Sequence, residues 1–519
     1  MPCKTSTAES AEYTEKGSFL RTLCALRCVY GESMPGITIL GLGPGNPSQL
    51  TREAWEVINT AEELWLRTRQ HPTFAAFPAS LRLESFDELY ETGESFEAVY
   101  ASIVEKILHL GQREQGVIYA VPGDPFIAET TGPEIARQAR LAGLSLRIVN
   151  GLSFIEPAFS ALGLDPFPQI TLVDALELSQ RHVPSFPVDT PVLVAQIYSR
   201  LVAAEVKTTL NSIYPDDHQV TLVHAAGTEA ECIENIPLYE IDRSTHIGLL
   251  TLLYVPALGQ GSSFEAFQEV VARLRAPDGC PWDQEQTHQS LRPHLLEEAY
   301  ETLAALDSED PQQMAEEFGD LLLQIVLNAQ IGSEEGGFSM LDVLKGIHDK
   351  IVRRHPHVFG NEQIGDVKKV LQNWEKLKAD ERKINGESHK GSMDGVPLAL
   401  PALVQAQEYQ DRAARVGFDW PYIAGVLEKI VEEIGEIQRA TNSTELADEI
   451  GDLFFALVNL ARWKQVDAES ALRSTNMKFK QRFAHIEQVA QKQGRKISEL
   501  SLDEMEAAWQ EAKTPGHLP

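Results

Sequence analysis

The pattern of apolar and polar positions changes near residue 260 of this chain of 519 residues. Between residues 36 and 256, short β-rich runs alternate with helix-like segments. This alternation predicts an α/β domain with a largely parallel sheet. After residue 263, strand patterns nearly vanish, and amphipathic segments rich in Leu, Ala, Glu, Gln and Lys predict an all-helical half.

The pattern also predicts individual elements and domain boundaries. The predicted strands are GITILGLG, GVIYAVPG, LSLRIV, PVLVAQIY, HQVTLVHAAG and IGLLTLLYVP, and the predicted helices between them include LTREAWEVINTAEELWLRT and SFEAVYASIVEKILHLGQ. The predicted organisation is a disordered extension over 1–33, an α/β domain over 34–256, a linker over 257–263, a helical module over 264–380, a second linker over 381–397 and a second helical module over 398–519.

The composition narrows the classes of function. A net charge of −31 argues against a nucleic-acid binder or a protein of anionic membrane surfaces, because both need a basic surface. The five cysteines form no CxxC pair, which predicts reduced thiols and a cytoplasmic location. No apolar stretch reaches the roughly 18 residues that a membrane-spanning helix needs.

A pattern of carboxylates occurs twice in the helical half. LLEEAYE is followed by EEFGDLLLQ, and VEEIGEI is followed by ADEIGDLFFA, which indicates an internal duplication. Residues three apart share a helix face, so Glu433 and Glu436 project together from one helix, and Glu449 and Asp452 from the next. Four carboxylates at the edge of a core repel each other unless a cation neutralises them. Oxygen ligands favour Mg²⁺, with Mn²⁺ as the alternative.

A simpler interpretation of the acidic pattern is a solvated helix face. That interpretation is the usual one for a single EExxE in so acidic a chain. The repetition of the pattern, each time followed by an ExxD spacing and an apolar run, favours the metal site. A di-iron bundle would pair its glutamates with ExxH histidines, and neither repeat contains one.

The helical half, from about 264 to 516, resembles the MazG family of nucleoside triphosphate pyrophosphohydrolases. The resemblance rests on CPWDQEQTHQSLRPHLLEEAYE, DKIVRRHPHVFG, NWEKLKADER, ADEIGDLFFALVNLAR and NMKFKQRF. It implies two tandem helical modules that form a homodimer. It also implies Mg²⁺-dependent conversion of a nucleoside triphosphate and water to a nucleoside monophosphate and pyrophosphate.

The resemblance assigns metal ligands and catalytic groups. Metal ligands would be Glu433, Glu436, Glu449 and Asp452 in the second module, and Glu298, Glu301, Glu317 and Asp320 in the first. Whichever of Glu432 and Glu433 does not hold the metal is a candidate to orient the attacking water. Lys429, Lys478 and Arg482 would contact phosphates, and Trp509 would stack on a base. The alternatives, solvated cations and a tryptophan that packs on the bundle, stay open. We expect activity in the second module, since no clear counterpart of KFKQR follows the first.

Glycine-rich turns follow two strands of the N-terminal half, in ILGLGPGNPSQLT and AVPGDPFIAET. Such turns let backbone N–H groups approach a ligand, although a structural turn explains them equally well. With VNGLSFIEPAFSALGL, they resemble the tetrapyrrole (corrin/porphyrin) methylase family, which binds S-adenosylmethionine. The resemblance implies that Pro44, Gly123, Asp124, Ile127 and Ser153 line the cofactor site. Asn46, the form PGDP and Asn150 differ from that family's usual pattern, and no acceptor pocket is identified.

The complete order of domains resembles the YabN-type fusion proteins of bacteria. We therefore expect a nucleoside triphosphate pyrophosphohydrolase with a methyltransferase-like domain. Two alternatives stay open: a regulatory protein that binds S-adenosylmethionine or nucleotide without turnover, and a methyltransferase with an accessory helical domain.

Overall fold

The computed structural model describes residues 36–513, except positions 94, 361–364, 367–368, 371–372, 375–376, 378–380, 382–390 and 392. The predicted extension over 1–33 and most of the predicted linker over 381–397 therefore lie outside the described residues. The chain divides after Arg273 into two compact units. The predicted linker over 257–263 and the boundaries of the two modules stay predictions. None of the helices in the described part has the length and apolarity to cross a membrane.

The N-terminal unit is an α/β unit, as predicted, with two sheets of five strands each. Its strands are β1 Gly36–Gly41, β2 Glu63–Leu66, β3 Arg82–Ser85, β4 Val117–Val121, β5 Ser145–Val149, β6 Thr171–Asp174, β7 Val192–Ala195, β8 Gln219–His224, β9 Cys232–Pro237 and β10 Thr251–Val255. Its helices are α1 Arg52–Thr60, α2 Asp87–Thr92, α3 Phe96–Leu110, α4 Thr131–Leu141, α5 Ile155–Leu162, α6 Ala175–Ser179 and α7 Arg200–Leu210, with short 3-10 helices at Pro47–Gln49, Pro72–Ala76 and Leu238–Arg243.

The first sheet has the strand order β3-β2-β4-β1-β5, and all its pairings are parallel. Helices cover both faces: α3 and α4 pack against one, and α1 against the other. Burial on both faces explains the nearly continuous apolar run of β1, in which Ile39 and Leu40 are fully buried. All strands of a parallel sheet end at one edge, where the glycine-rich turns lie.

The second sheet has the order β6-β7-β10-β8-β9, and only β6 and β7 pair in parallel. The prediction of a largely parallel sheet is therefore wrong for this half of the unit. A short segment without a helix joins β8 to β9, and such a connection returns the chain antiparallel. The predicted helix over 50–68 also needs correction, since it ends at Thr60 and its last part is β2.

The C-terminal unit is helical, as predicted. Helix α8, Phe264–Arg275, lies mostly before the division, in the N-terminal unit. The helices in the described part of the C-terminal unit are α9 Pro281–Gln284, α10 Arg292–Ser308, α11 Pro311–Glu334, α12 Met340–Arg354, α13 Pro356–Phe359, α14 Ala402–Arg415, α15 Ile423–Arg439, α16 Ser443–Trp463, α17 Ala468–Lys492 and α18 Leu502–Glu511, with a 3-10 helix at Ile497–Glu499.

Two pairs of helices carry the repeated carboxylates. Helix α10 packs against α11, and α15 packs against α16. The second helix of each pair begins at a side-chain cap: Asp310 accepts the N–H of Gln312, and Asn442 accepts those of Thr444 and Glu445. These caps end the short connections and let each pair fold back on itself.

Candidate functional site

The carboxylates of the second repeat meet between α15 and α16. One oxygen from each of Glu433, Glu449 and Asp452 lies within 4.8 Å of the others. Glu436 is adjacent, and it contributes to the raised pKa of Glu449. The structure thus brings together the four residues that the sequence predicted to converge, with three in the tightest group.

Glu433 is the buried member of this group. Only 2% of its surface is exposed. Lys429, one helical turn earlier, places its ammonium 2.7 Å from Glu433 Oε1 and 3.0 Å from Glu432 Oε1. Glu433 Oε2 is also buried, but it has no hydrogen-bond partner among the described residues. A buried carboxylate oxygen without a partner is unfavourable, and a cation at this position would satisfy it.

The electrostatics of the group agree with a site for positive charge. Burial, followed by repulsion from Glu436, Glu433 and Asp452, raises the pKa of the Glu449 carboxyl above its ordinary value. The Lys429 pKa is raised as well, chiefly by its hydrogen bond to Glu433. Both shifts are those expected where carboxylates crowd together, and a nearby cation would relieve the repulsion.

The first repeat forms a similar group between α10 and α11. One oxygen from each of Glu298, Glu301 and Glu317 lies within 4.8 Å of the others. Burial raises the pKa of Glu298, and repulsion from Asp320 adds to the shift. The pKa of Glu317 is raised by burial and by repulsion from Glu301.

The two groups differ in the residue that precedes them by one turn. His294 stands four positions before Glu298, as Lys429 stands before Glu433. The ring of His294 is 3.8 Å from Glu297. Glu298 is half-buried, whereas Glu433 is buried. Where the second group has a lysine–glutamate pair, the first group has a histidine one turn before Glu298. A comparison of the carboxylates alone does not reveal this difference.

The donors of both groups fit a hard divalent cation. All are carboxylate oxygens, the ligands that Mg²⁺ and Mn²⁺ prefer. The residues that would hold such an ion are Glu433, Glu449 and Asp452 with Glu436 beside them, and Glu298, Glu301 and Glu317 with Asp320 beside them.

The other predicted residues of the second module lie on α17 and α18. Lys478 is exposed, while the Arg482 guanidinium lies 5.5 Å from the centre of the Trp509 ring. Trp509 also packs against Phe479, with the ring centres 5.2 Å apart. Among the described residues, Lys478 and Arg482 form no ion pair with the four carboxylates. Their roles toward phosphate and base stay predictions.

In the N-terminal unit, three loops touch at the carboxyl edge of the first sheet. Gly43 and Gly123 exchange backbone hydrogen bonds of 3.2 and 2.8 Å. A Cβ on Gly151 would lie 2.3 Å from the carbonyl oxygen of Gly123, and one on Gly41 would lie 2.4 Å from the nitrogen of Gly151. Only glycine allows backbones to approach so closely, which explains why glycine occupies these positions.

The predicted cofactor residues lie around this contact. Pro44 is buried in the first loop. Asp124 is 7% exposed, and its carboxylate accepts the N–H of Phe126 at 2.9 Å, so it shapes its own loop. Ser153 is buried and donates to Glu156 at 2.6 Å. Ile127 is exposed. A Cβ on Gly123 would meet its nearest described neighbour, the Cα of Ser153, at 4.0 Å, which is an ordinary contact distance, so this glycine is not crowded.

Sequence reasoning missed a buried polar network beside these loops. Arg67 follows β2 and donates to the buried carboxylate of Glu129. Arg67 also donates to the hydroxyls of Tyr90 at 3.0 Å and Tyr100 at 3.2 Å. His71 is buried, with Nε2 3.1 Å from the Gly43 carbonyl oxygen. No local motif links these residues, because the partners are far apart in sequence.

Each half of the chain matches a known protein family. Residues 36–242 match the family Tetrapyrrole (Corrin/Porphyrin) Methylases, and residues 286–359 and 423–487 match the MazG nucleotide pyrophosphohydrolase domain. YabN of Bacillus subtilis (strain 168) is 40% identical over 486 residues, which are 92% of this chain and 98% of YabN.

Two enzymes resemble the helical half alone. The nucleoside triphosphate pyrophosphohydrolase/pyrophosphatase MazG of Thermotoga maritima is 43% identical over 253 residues, 49% of this chain and 96% of that protein. The nucleoside triphosphate pyrophosphohydrolase of Escherichia coli (strain K12) is 42% identical over 250 residues, 47% of this chain and 94% of that enzyme.

Proposed function

The chain belongs to the family of Bacillus subtilis YabN, with a tetrapyrrole-methylase-type domain followed by a MazG domain. From this membership, we propose that the helical half hydrolyses nucleoside triphosphates to nucleoside monophosphates and pyrophosphate. The proposal includes Mg²⁺ as the cofactor, with Mn²⁺ as a substitute. The relatives named for this activity cover the helical half alone.

One observation carries the proposal: carboxylates from two adjacent helices converge around the buried Glu433, whose Oε2 has no hydrogen-bond partner in the part of the chain that the structure describes. A solvated acidic surface would expose these groups and keep them apart. A bound Mg²⁺ would neutralise charge on the phosphates of the substrate.

The chain's own residues have distinct proposed tasks in the second module. Glu433, Glu436, Glu449 and Asp452 hold the cation. Glu432 lies outside the tight group and is exposed, so it is the residue we assign to orient the attacking water. Lys429 fixes the orientation of Glu433 through its 2.7 Å contact. Lys478 and Arg482 contact phosphate, and Trp509 stacks on the base.

The N-terminal unit is proposed to bind S-adenosylmethionine at the contact of the three loops. The uncrowded position of Gly123 supports this site, and Pro44, Asp124, Ile127 and Ser153 lie in the same loops. S-adenosylmethionine supplies a methyl group when it is bound. The residues of the loops hold the cofactor through backbone groups, and no methyl acceptor is proposed.

A homodimer through the helical half is also proposed. Helix α16 exposes Phe454, Phe455 and Leu457 to 56%, 46% and 43%. Apolar side chains clustered in this way usually lie at an interface. Light scattering coupled to size-exclusion chromatography would report twice the chain mass. A monomer at micromolar concentration would contradict the dimer.

Two single variants test the activity and its location. Glu436→Gln and Glu301→Gln, made separately, are assayed for pyrophosphate release from a panel of nucleoside triphosphates with and without Mg²⁺. We expect the rate of pyrophosphate release to fall about 100-fold in Glu436→Gln and to change little in Glu301→Gln. Only Glu436→Gln removes the charge of a metal ligand from the carboxylate group that we propose to be active.

Calorimetry and a methyl-transfer measurement, together with the pyrophosphate assay, distinguish the alternatives. A regulatory protein would bind nucleotide in calorimetry but release no pyrophosphate under any condition. A methyltransferase with an accessory helical domain would transfer a labelled methyl group from S-adenosylmethionine while both carboxylate variants left that transfer unchanged. Equal loss in both variants would contradict the assignment of activity to the second module.

A further inference from the structure

Two histidines and a glutamate meet in the second sheet of the N-terminal unit, in a group that the proposed activity does not use. His224 ends β8, Glu234 lies in the edge strand β9, and His246 precedes β10. One ligand atom from each lies within 4.8 Å of the others. His224 Nε2 is 2.9 Å from Glu234 Oε2, and His246 Nδ1 is 3.3 Å from Glu234 Oε1.

Neighbouring hydroxyl groups orient this group. Nδ1 of His224 lies 3.0 Å from the hydroxyl of Thr251. The hydroxyl of Ser244 donates to Glu234 Oε2 and accepts the backbone N–H of His246 at 3.1 Å. If His224 donates its Nδ1 proton to Thr251, its Nε2 lone pair points at the group. A histidine that binds a metal through one ring nitrogen usually donates a hydrogen bond from the N–H of the other.

The chemistry of the donors also suits a metal. Two imidazole nitrogens and one carboxylate oxygen converge in this group. They can bind a cation when the imidazoles are neutral and the carboxylate is ionised.

We propose that His224, Glu234 and His246 bind one Zn²⁺ ion, with water as the fourth ligand. Two imidazoles and one carboxylate suit Zn²⁺ and not Mg²⁺, which prefers oxygen ligands throughout. The side chain of His246 is 53% exposed, which leaves a side open for water. The ion would join the edge strand β9 and the segment before β10 to β8, and so stabilise this end of the sheet.

The test uses full-length protein freed of metal by a chelator, with Co²⁺ as a spectroscopic probe for Zn²⁺. We expect the intense visible absorption of tetrahedral Co²⁺, displaced by Zn²⁺. His246→Gln and Glu234→Gln should weaken this binding about 100-fold or more, because loss of a direct ligand exceeds the effect of its supporting partners. His182→Gln, a change of an exposed histidine in the same unit, should leave it intact.

A second measurement separates metal binding from a purely hydrogen-bonded cluster. Zn²⁺ should slow hydrogen exchange in peptides that contain β9, in the unaltered protein and in His182→Gln but not in His246→Gln. Excess Mg²⁺ should not have this effect. Absence of the tetrahedral Co²⁺ band, its persistence in both ligand variants, or unchanged exchange with Zn²⁺ would overturn the proposal. These outcomes do not depend on pyrophosphate release.

Discussion

The ammonium of Lys429 lies 2.7 Å from Oε1 of Glu433, on the one carboxylate of the second group that is buried. The lysine is itself 39% exposed, so water screens its half of the pair. It occupies one oxygen of Glu433, while no other described residue forms a hydrogen bond with Oε2. Lys429 and a cation therefore act on the same carboxylate from different oxygens.

Replacing Lys429 with Met should make the helical half more dependent on Mg²⁺. Without the lysine, the buried charge of Glu433 has only the cation to balance it. We expect a lower midpoint of thermal unfolding without metal and a larger rise on addition of Mg²⁺ than in the unaltered protein. Lys345→Met is the control, since Lys345 pairs with Asp349 on the surface. An equal Mg²⁺-induced rise in Lys429→Met and the unaltered protein would contradict the prediction.

Gly151→Ala should disturb the contact of the three loops. The added Cβ would lie 2.3 Å from the carbonyl oxygen of Gly123, a distance that forces the backbones apart. We expect a lower unfolding midpoint and weaker binding of S-adenosylmethionine in calorimetry. Gly248→Ala is a matched control in the same unit, because its Cβ would meet the nearest atom at 4.0 Å. Unchanged binding in Gly151→Ala would place the cofactor elsewhere.

His71 should titrate far below an ordinary histidine. Burial lowers its pKa from 6.5 to about 4, against the opposing hydrogen bond to Gly43. The folded protein thus binds this proton less readily than the unfolded chain. Its contribution to stability is complete above pH 6.5 and is lost as the pH falls toward 4, by up to roughly 3 kcal/mol.

Two measurements check His71. Exchange of the histidine C2 hydrogen, followed by mass spectrometry, should give a midpoint near 4 for His71. The replacement His71→Gln keeps a donor for the Gly43 carbonyl but does not titrate. Its free energy of unfolding should fall less steeply than that of the unaltered protein between pH 6.5 and 4. A midpoint near 6.5 would show that the ring is open to protons.

Arg67 and Glu129 should be strongly coupled in the free energy of unfolding. Their side chains are 19% and 2% exposed, so Arg67→Met leaves an almost fully buried carboxylate without its cation. We expect a loss of about 3 kcal/mol. Glu129→Gln in the same chain should restore part of it, because an amide needs no counter-charge. Urea unfolding of the unaltered protein, Arg67→Met, Glu129→Gln and the double variant gives the coupling free energy. Strictly additive effects of the two replacements would contradict the prediction.

The sequence predicted the elements whose patterns are strong. The strands β1, β4, β5, β7, β8 and β10 follow apolar runs, and the structure confirms them. The carboxylate groups were predictable because residues three apart share a helix face and short connections return the chain. Strand β2 was missed since ELWL continues the periodicity of the helix before it. The edge strand β9 was missed because Glu234 and Asn235 interrupt its apolar residues, so that no continuous apolar run marks it.

Contacts between residues far apart in the chain could not be predicted from the sequence. Arg67 and Glu129 are separated by 62 positions, and nothing local indicates that one neutralises the other. The burial of Glu433 depends on how α15 packs, which periodicity does not specify. The antiparallel order of the second sheet depends on connections without a helix, and composition alone does not distinguish them from crossovers. The roles of Lys478, Arg482 and Trp509 stay predictions.

The backbone contact of Gly41, Gly123 and Gly151 couples three distant stretches of the chain. A side chain introduced in any one stretch displaces the other two, so the three cannot vary independently during evolution. Tolerated changes at this edge of the sheet should therefore arise as compensating sets. An engineer who wishes to reshape this edge of the sheet must redesign all three loops together.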